Sequence, residues 1–333
     1  MVSRPRTLII VNNVAARARR AWPVIQARLR DSSVNYTLHE TRFAGDATTQ
    51  TSAALKTGCQ LIAVVGGDGT LSEAAAGFFE FSESMDGPHA EAPLAINPEA
   101  ALAILPAGTG DDFARGLMGQ RAPLDHWIET MIAHSRQRTE KSTRLIDVIQ
   151  GSADDYQKPF VCLNASTLGI GGETAARVAA QGNLMRRLSG EVRFVLAAIG
   201  ALAAWRERRV RVSIDDKNVI ECPMNLIAVA NNKYAGGGMM FSPQARIDDG
   251  KLDVVTACGL TRSAVMRELP RIHTGGHVAN PKVRITQGQT ARIETFAPED
   301  ALPIEVDGNL RGRTPAEFRI LPGALRFVMS DKL

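Results

Sequence analysis

Aromatic residues are scarce in this chain: three Trp, three Tyr and eleven Phe make up 5% of 333 residues. Basic residues interleaved with stacking rings, the pattern of single-strand readers, are therefore missing, and no nucleic-acid partner is expected. Long apolar runs are also absent. The longest, Phe194 to Trp205 between Arg193 and Arg206, is about half the roughly 20 residues that span a bilayer, so it predicts a buried or interfacial helix and no transmembrane anchor. The four cysteines, Cys59, Cys162, Cys222 and Cys258, form no CxxC pair. That argues against a zinc site or a disulfide framework and suits a reducing cytoplasm. MVSRPRTLIIVNN runs from two arginines into a strand-like segment without the apolar core and cleavage site of a secretory signal, so export is not expected. There is no internal repeat or low-complexity tract.

Hydrophobic residues at 44%, charged residues at 22% and a net charge of +4 describe a globular chain with a mild preference for anionic partners. The length fits two domains, each with its own core.

Up to about residue 150, short β-branched runs alternate with amphipathic stretches: TLIIV then Ala15 to Leu29, LIAVV then Leu71 to Phe79, LAILP then Leu124 to His134, and finally LIDVI. This alternation predicts a mostly parallel sheet covered by helices. Gly58 closes the helical stretch Asp46 to Thr57, and Ser82 to Glu99, with Pro88 and Pro93, reads as an insertion or mobile loop. After Gly151 closely spaced short strands take over, among them a hairpin of RVRVSI and VIECPM around DDKN. Helical patterns at Glu173 to Gln181, Gly190 to Trp205 and Ser263 to His273 interrupt what is otherwise a sandwich.

The residues that carry chemistry lie at strand ends. Gly66, Gly67, Asp68, Gly69 and Thr70 follow LIAVV and precede LSEAAAGFF. Glycines let backbone N–H groups approach phosphate oxygens, and the helix that follows adds free donors and a favourable dipole. No GK[ST] follows, so the cradle is not a Walker A loop. A second loop, LPAGTGDDFARGL, brings Gly108, Thr109, Asp111 and Asp112 to a neighbouring strand end, where loops of an open parallel sheet share one crevice. Asp147, closing LIDVI, adds a carboxylate, and several Asp beside phosphates imply Mg²⁺.

The ordered set GGDGTLSE, GTGDDFAR, NNKYAGGGMMFSPQARIDDGKLDVV and EVDG resembles the bacterial lipid kinases of the diacylglycerol kinase catalytic-domain family, relatives of the sphingosine and ceramide kinases, over nearly the whole chain. GGDGT is shared with NAD kinases, whereas the YAGGGM to DDGKLDV block is more specific. The resemblance implies an α/β nucleotide-binding domain with a mostly parallel sheet over residues 1–145 and a predominantly β sandwich lipid-substrate domain over 146–314. A tail over about 315–333 would return to the first domain, and the active site would lie in the cleft between the two. ATP and Mg²⁺ are the implied cofactors. ATP would contact Asn12, Thr41, Gly66, Gly67, Asp68, Gly69, Thr70, Leu71, Ser72, Gly108 and Thr109, with Glu73 supporting the loop. Asp68, Asp112 and Asp147 would organise water and Mg²⁺, and a second metal would sit on the carbonyl of Arg246, the side chain of Asp249 and the carbonyl of Lys251.

Catalysis would fall to Asp307 with Asp68. The family's DGE reads Asp307, Gly308, Asn309 here, and Asp307 retains the carboxylate that accepts the acceptor hydroxyl's proton. Asn13 for Pro, Ala16 for Gly and Asp111 for Asn are further departures. A lipid acceptor implies a cytoplasmic protein in reversible contact with the inner face of the membrane, with Arg206, Arg208, Arg209 and Arg211 as candidate anchors and exposed sandwich edges as a route to a homodimer. Two other readings stand beside this one. An NAD kinase-like phosphotransferase is disfavoured because no asparagine is followed by glutamate; a non-catalytic sensor is motivated by Asn309. His273 and His277 in HTGGH lack a third ligand and read as structural.

Overall fold

The computed structural model describes residues 7–81, 92–137, 139–182, 185 and 190–329. Two compact units divide the chain, Met1–Val148 with Leu321–Leu333, and Ile149–Ile320.

The first unit alternates strand and helix through β1 (Thr7–Val11), α1 (Ala16–Asp31), β2 (Thr37–Glu40), α2 (Asp46–Lys56), β3 (Leu61–Gly66), α3 (Asp68–Ala76), β4 (Phe79–Glu80), β5 (Leu94–Ala95), β6 (Ala101–Pro106), α4 (Asp112–Met118) and α5 (Leu124–Arg136) to β7 (Thr143–Ala153). Its sheet runs β2-β1-β3-β6 and ends on the last residues of the terminal strand, every neighbour parallel. β1 and β3 are buried throughout and β6 nearly so, as unbroken apolar runs require in a sheet covered on both faces. Phe113 of α4 packs edge-on against Phe327 of the terminal strand, ring centroids 5.0 Å apart. Of the loop expected over Ser82 to Glu99, residues 82–91 lie outside the described residues, and β5 pairs antiparallel with β4.

The second unit contains the end of β7, β8 (Tyr156–Cys162), β9 (Ala165–Gly169), α6 (Ile170–Ala179), α7 (Gly190–Ala204), β10 (Arg208–Ile214), β11 (Asn218–Ala230), β12 (Tyr234–Ala235), β13 (Met239–Met240), β14 (Leu252–Cys258), α8 (Arg262–Ile272), β15 (Val283–Gly288), β16 (Thr290–Thr295), β17 (Pro303–Val306), β18 (Asn309–Arg313) and the first residues of β19 (Ala316–Val328). Pairing is antiparallel, in the order β18-β17-β9-β11-β10-β16, with β14 and β15 continuing from β11. β11 and β14 feed two cores by simple alternation. Ile227, Val229 and Val254 enter one cluster, while Ala228, Ala230 and Val255 enter the other.

One sequence expectation is corrected here: Cys222 and Cys258 are joined by a disulfide. They lie 36 residues apart in sequence, but β11 and β14 are antiparallel neighbours and bring their Cα atoms to 5.9 Å. Cys59 and Cys162 remain buried thiols.

Asp46 opens α2 and fixes the turn that follows β2. Its buried carboxylate accepts from the Arg42 N–H and meets His39 Nε2, each at 2.9 Å. Burial alone would raise its pKa; these hydrogen bonds outweigh burial and hold the carboxyl below its ordinary value. Replacing Asp46 by Ala should lower the unfolding free energy by about 2 kcal/mol in urea titrations near neutral pH. A lowered folded pKa stabilises above the ordinary carboxylate range and stops doing so as pH falls through it. The gap between wild type and variant should therefore narrow in acid.

Candidate active site

β3 ends at Gly66, Gly67 caps α3 with an extended backbone, and Asp68, Gly69 and Thr70 already form the helix's first turn. No side chain caps this N-terminus, and the N–H groups of Thr70 and Leu71 bond back to the Gly67 carbonyl, each at 3.1 Å. The second loop leaves β6 and enters α4 through Asp111, which adopts the left-handed conformation at φ 50°. The two loops touch backbone to backbone. A Cβ on Gly108 would stand 2.5 Å from Gly67 Cα, and a Cβ on Gly67 would stand 3.1 Å from Gly108 Cα. Gly108 has no room for a side chain, and one at Gly67 would press on the facing backbone.

Side chains then tie the contact. Asp68 accepts from the N–H groups of Asp112 at 3.0 Å and Phe113 at 2.8 Å, so the carboxylate of the first loop caps the helix of the second. Asn12 at the end of β1 donates to Thr70 Oγ1 at 2.8 Å. Asp111 accepts from the Gly108 N–H at 2.8 Å, and Arg17 and Arg121 donate to the carbonyls of Gly108 and Thr109. Burial, with the charge of Asp68 adding to it, raises the Asp111 carboxyl above its ordinary value against the pull of Gly108, Arg121 and Arg17. Carboxylates beside a glycine-lined helix start, with two guanidiniums alongside, fit a phosphate chain carrying a hard divalent cation.

The remaining predicted contacts divide. Thr41 lines an open cavity of about 430 Å³ with Asn13, Leu38, His39, Glu40 and Arg42. Leu71 and Ser72 are buried beneath the loop, and Glu73 offers its carbonyl to Thr48 Oγ1. Asp147 of β7 is held by the Gly323 N–H at 2.7 Å, on a different strand from the glycine loops.

In the second unit Asp307 and Gly308, at φ 45° and 89°, form the turn that joins β17 to β18, a conformation for which Asp-Gly is well suited. The Asp307 carboxylate accepts from the N–H groups of Leu163 at 2.7 Å and Asn164 at 2.9 Å. Asn164 accepts in turn from the N–H groups of Asn231 and Asn232 and, through Oδ1, from Asn232 Nδ2 at 2.8 Å. The start of the NNKYAGGG block and the DGN turn are thus one hydrogen-bonded cluster. Gly236, Gly237 and Gly238, at φ 67°, 88° and 103°, close the β12–β13 hairpin; His273 and His277 contact the carbonyls of Gly238 and Phe241 behind it.

Glu305, which sequence patterning does not single out, lies on β17 two residues before Asp307, the first residue of the left-handed turn. It accepts from Thr167 Oγ1 at 2.6 Å and from the Gly308 N–H. Burial, reinforced by the Asp307 charge and opposed by these bonds, pushes its pKa up to about 7. In the turn before β14, Asp249 accepts from the Lys251 N–H at 3.1 Å. Among the described residues no three His, Cys, Asp or Glu gather as a metal cage, so an ion here would depend on the carbonyls of Arg246 and Lys251.

Gly108→Ala should destabilise the first unit by ~2 kcal/mol through backbone overpacking and weaken nucleotide binding, as read by urea unfolding and calorimetric titration. Glu305 carries a folded pKa of about 7 against an ordinary 4.5, so its contribution favours the fold in acid and is lost as pH rises through that window. Stability of Glu305→Gln, measured by chemical denaturation from pH 4 to 8 or so, should lack the wild-type decline across it.

Residues 6–150 match the diacylglycerol kinase catalytic domain, and residues 169–329 match the YegS C-terminal NAD kinase beta sandwich-like domain. The chain is 25% identical over 291 residues to a diacylglycerol kinase of Mycobacterium tuberculosis, covering 85% of this chain and 81% of that protein. It is 28% identical over 324 residues to a Chromohalobacter salexigens protein named "Probable lipid kinase YegS-like", covering 96% and 91%. A crystal structure of a diacylglycerol kinase from Bacillus anthracis superposes with a TM-score of 0.66 at 19% identity, covering 98% of this chain and 97% of that one. With both domains matched in order and the fold shared from end to end, the chain belongs to the bacterial lipid kinase family built on the diacylglycerol kinase catalytic domain.

Proposed function

We propose that this protein transfers the γ-phosphoryl group of ATP to the hydroxyl of a membrane lipid of the diacylglycerol, ceramide or sphingoid type. The observation that carries the reading is the glycine-to-glycine contact of the two loops, which gathers a helix start, Arg17, Arg121 and carboxylates at adjacent strand ends. In the transfer, the acceptor oxygen bonds to the γ-phosphorus, the bond from that phosphorus to the β,γ-bridging oxygen breaks, and ADP leaves. The proton of the hydroxyl passes to Asp307, the carboxylate of the DGN turn. Asp68, Asp112 and Asp147 are the residues that would hold Mg²⁺ through water, and the ion supplies neutralisation of the phosphate charge. Thr41 and the open cavity beside it suit the nucleoside end of ATP. Asp249 and its flanking carbonyls form a separate, structural cation turn.

A lipid acceptor places the working protein at the inner face of the cytoplasmic membrane in reversible contact. Among the described residues no helix is long and apolar enough to cross a membrane, so attachment by a surface fits. A second reading, a sensor that binds nucleotide without turnover, draws on Asn309 and on the main-chain N–H groups that already occupy Asp307.

Transfer of labelled γ-phosphate from ATP to a panel of these lipids in mixed micelles separates the readings. The expected result is one phosphorylated lipid class, with Asp68→Ala and folded Asp307→Asn each reducing the rate at least about a hundredfold. Nucleotide binding without transfer to any lipid would favour the sensor.

A further inference from the structure

Helix α7 carries no ionisable side chain from Phe194 to Ala204. Ala197, Ala201 and Leu202 are buried within the second unit, and Arg262 closes the helix end by donating to the carbonyls of Leu202 and Trp205 at 3.2 and 2.9 Å. The opposite face is apolar too. Val192, Val195, Leu196 and Ile199 are 46, 54, 45 and 52% exposed, at the i, i+3, i+4, i+7 spacing of a single stripe. A helix that is apolar all round ordinarily lies within a core or in lipid, whereas this one leaves a stripe of four apolar side chains about half exposed.

Charge and area select the occupant. The four arginines after α7 are each matched by a carboxylate: Arg206 by Asp300 at 2.7 Å, Arg208 by Glu173 at 2.9 Å, and Arg209 and Arg211 by Glu221 at 3.4 and 2.7 Å. Arg209 and Arg211 also lie over the ring of Phe296, which is itself 53% exposed. Four arginines share three carboxylates, so the expected cationic anchor is reduced to one net positive charge, and what remains next to it is apolar. The stripe exposes on the order of 350 Å², well short of the roughly 800 Å² per partner of a stable dimer, so a second copy of the chain is a poor fit. Insertion into a fluid apolar phase strengthens in proportion to the apolar area buried and needs no partner shaped to the stripe.

We propose that the exposed face of α7 inserts into the acyl region of a lipid layer and docks the protein on its acceptor's surface by apolar contact, independently of headgroup charge. The inference rests on the lipid kinase reading for its choice of partner.

The test is sedimentation of the full chain with vesicles of phosphatidylcholine alone or mixed with phosphatidylglycerol, at low and high salt. Wild type should pellet with both kinds at both salt levels, and Arg209→Gln/Arg211→Gln should match it. Leu196→Asp/Ile199→Asp should lose at least about tenfold in partitioning with an unchanged circular dichroism spectrum, and Val195→Asp serves if the double variant unfolds. Phosphorylation of a short-chain diacylglycerol dissolved as monomers should be the same in wild type and Asp variant. The proposal is overturned if wild type binds no vesicle, if binding requires phosphatidylglycerol and disappears in salt, or if the Asp variant pellets like wild type. It is also overturned if the Asp variant converts a dimer to a monomer, which would make a second copy the occupant, or loses activity on the monomeric acceptor, which would make α7 part of the acceptor site. Pelleting needs no turnover, so loss of binding in the Asp variant, with no lipid phosphorylated by wild type, would uphold the surface and reject the kinase reading.

Discussion

A buried or half-buried aspartate that accepts main-chain N–H groups from a distant loop is the constraint on which both units depend. Asp68 does this for the start of α4, Asp147 for Gly323, and Asp307 for Leu163 and Asn164. At α4 and after β8 the carboxylate satisfies donors that a helix start or strand end would leave unpaired, while Asp147 takes the N–H of Gly323, a left-handed position inside β19; such bonds are stronger than neutral ones. The residues that resemble catalytic and metal-organising groups are thus also the residues that shape the loops. Substituting any of them alters structure and chemistry together, so folding has to be measured beside activity.

This double use changes how the DGN turn is understood. With both Asp307 oxygens engaged and Asn309 unable to ionise, Glu305 is the group of that turn whose pKa lies near neutrality. Its hydrogen bond from Gly308 links its charge state to the turn itself. The NNKYAGGG block acts at the same place. Its two asparagines hold Asn164, Asn164 helps to hold Asp307, and the glycine hairpin is backed by two histidines whose rings meet main-chain carbonyls.

In the first unit the limiting factor is steric. The two glycine loops meet because their backbones approach more closely than a Cβ allows, and arginines and carboxylates stand around that contact. Asp111, where the family has Asn, tolerates the left-handed conformation as Asn does, but adds a charge beside Asp68 that Arg17 and Arg121 counter.

Local pattern determined much of this protein. The unbroken runs TLIIV, LIAVV and ALAIL dictate a parallel sheet covered on both faces, the alternation in RVRVSI dictates a hairpin, and glycines at two strand ends mark tight strand-to-helix loops, because period and backbone freedom are properties of short segments. Contacts between segments far apart in the chain had no such signal. The Cys222–Cys258 bridge, the partnering of each arginine after α7 with a carboxylate, the burial of Leu71 and Ser72, and the proximity of Glu305 to Thr167 all depend on which strands and helices become neighbours. Composition reports that α7 is apolar; only packing decides that one apolar face is covered by the protein and the other is left to solvent.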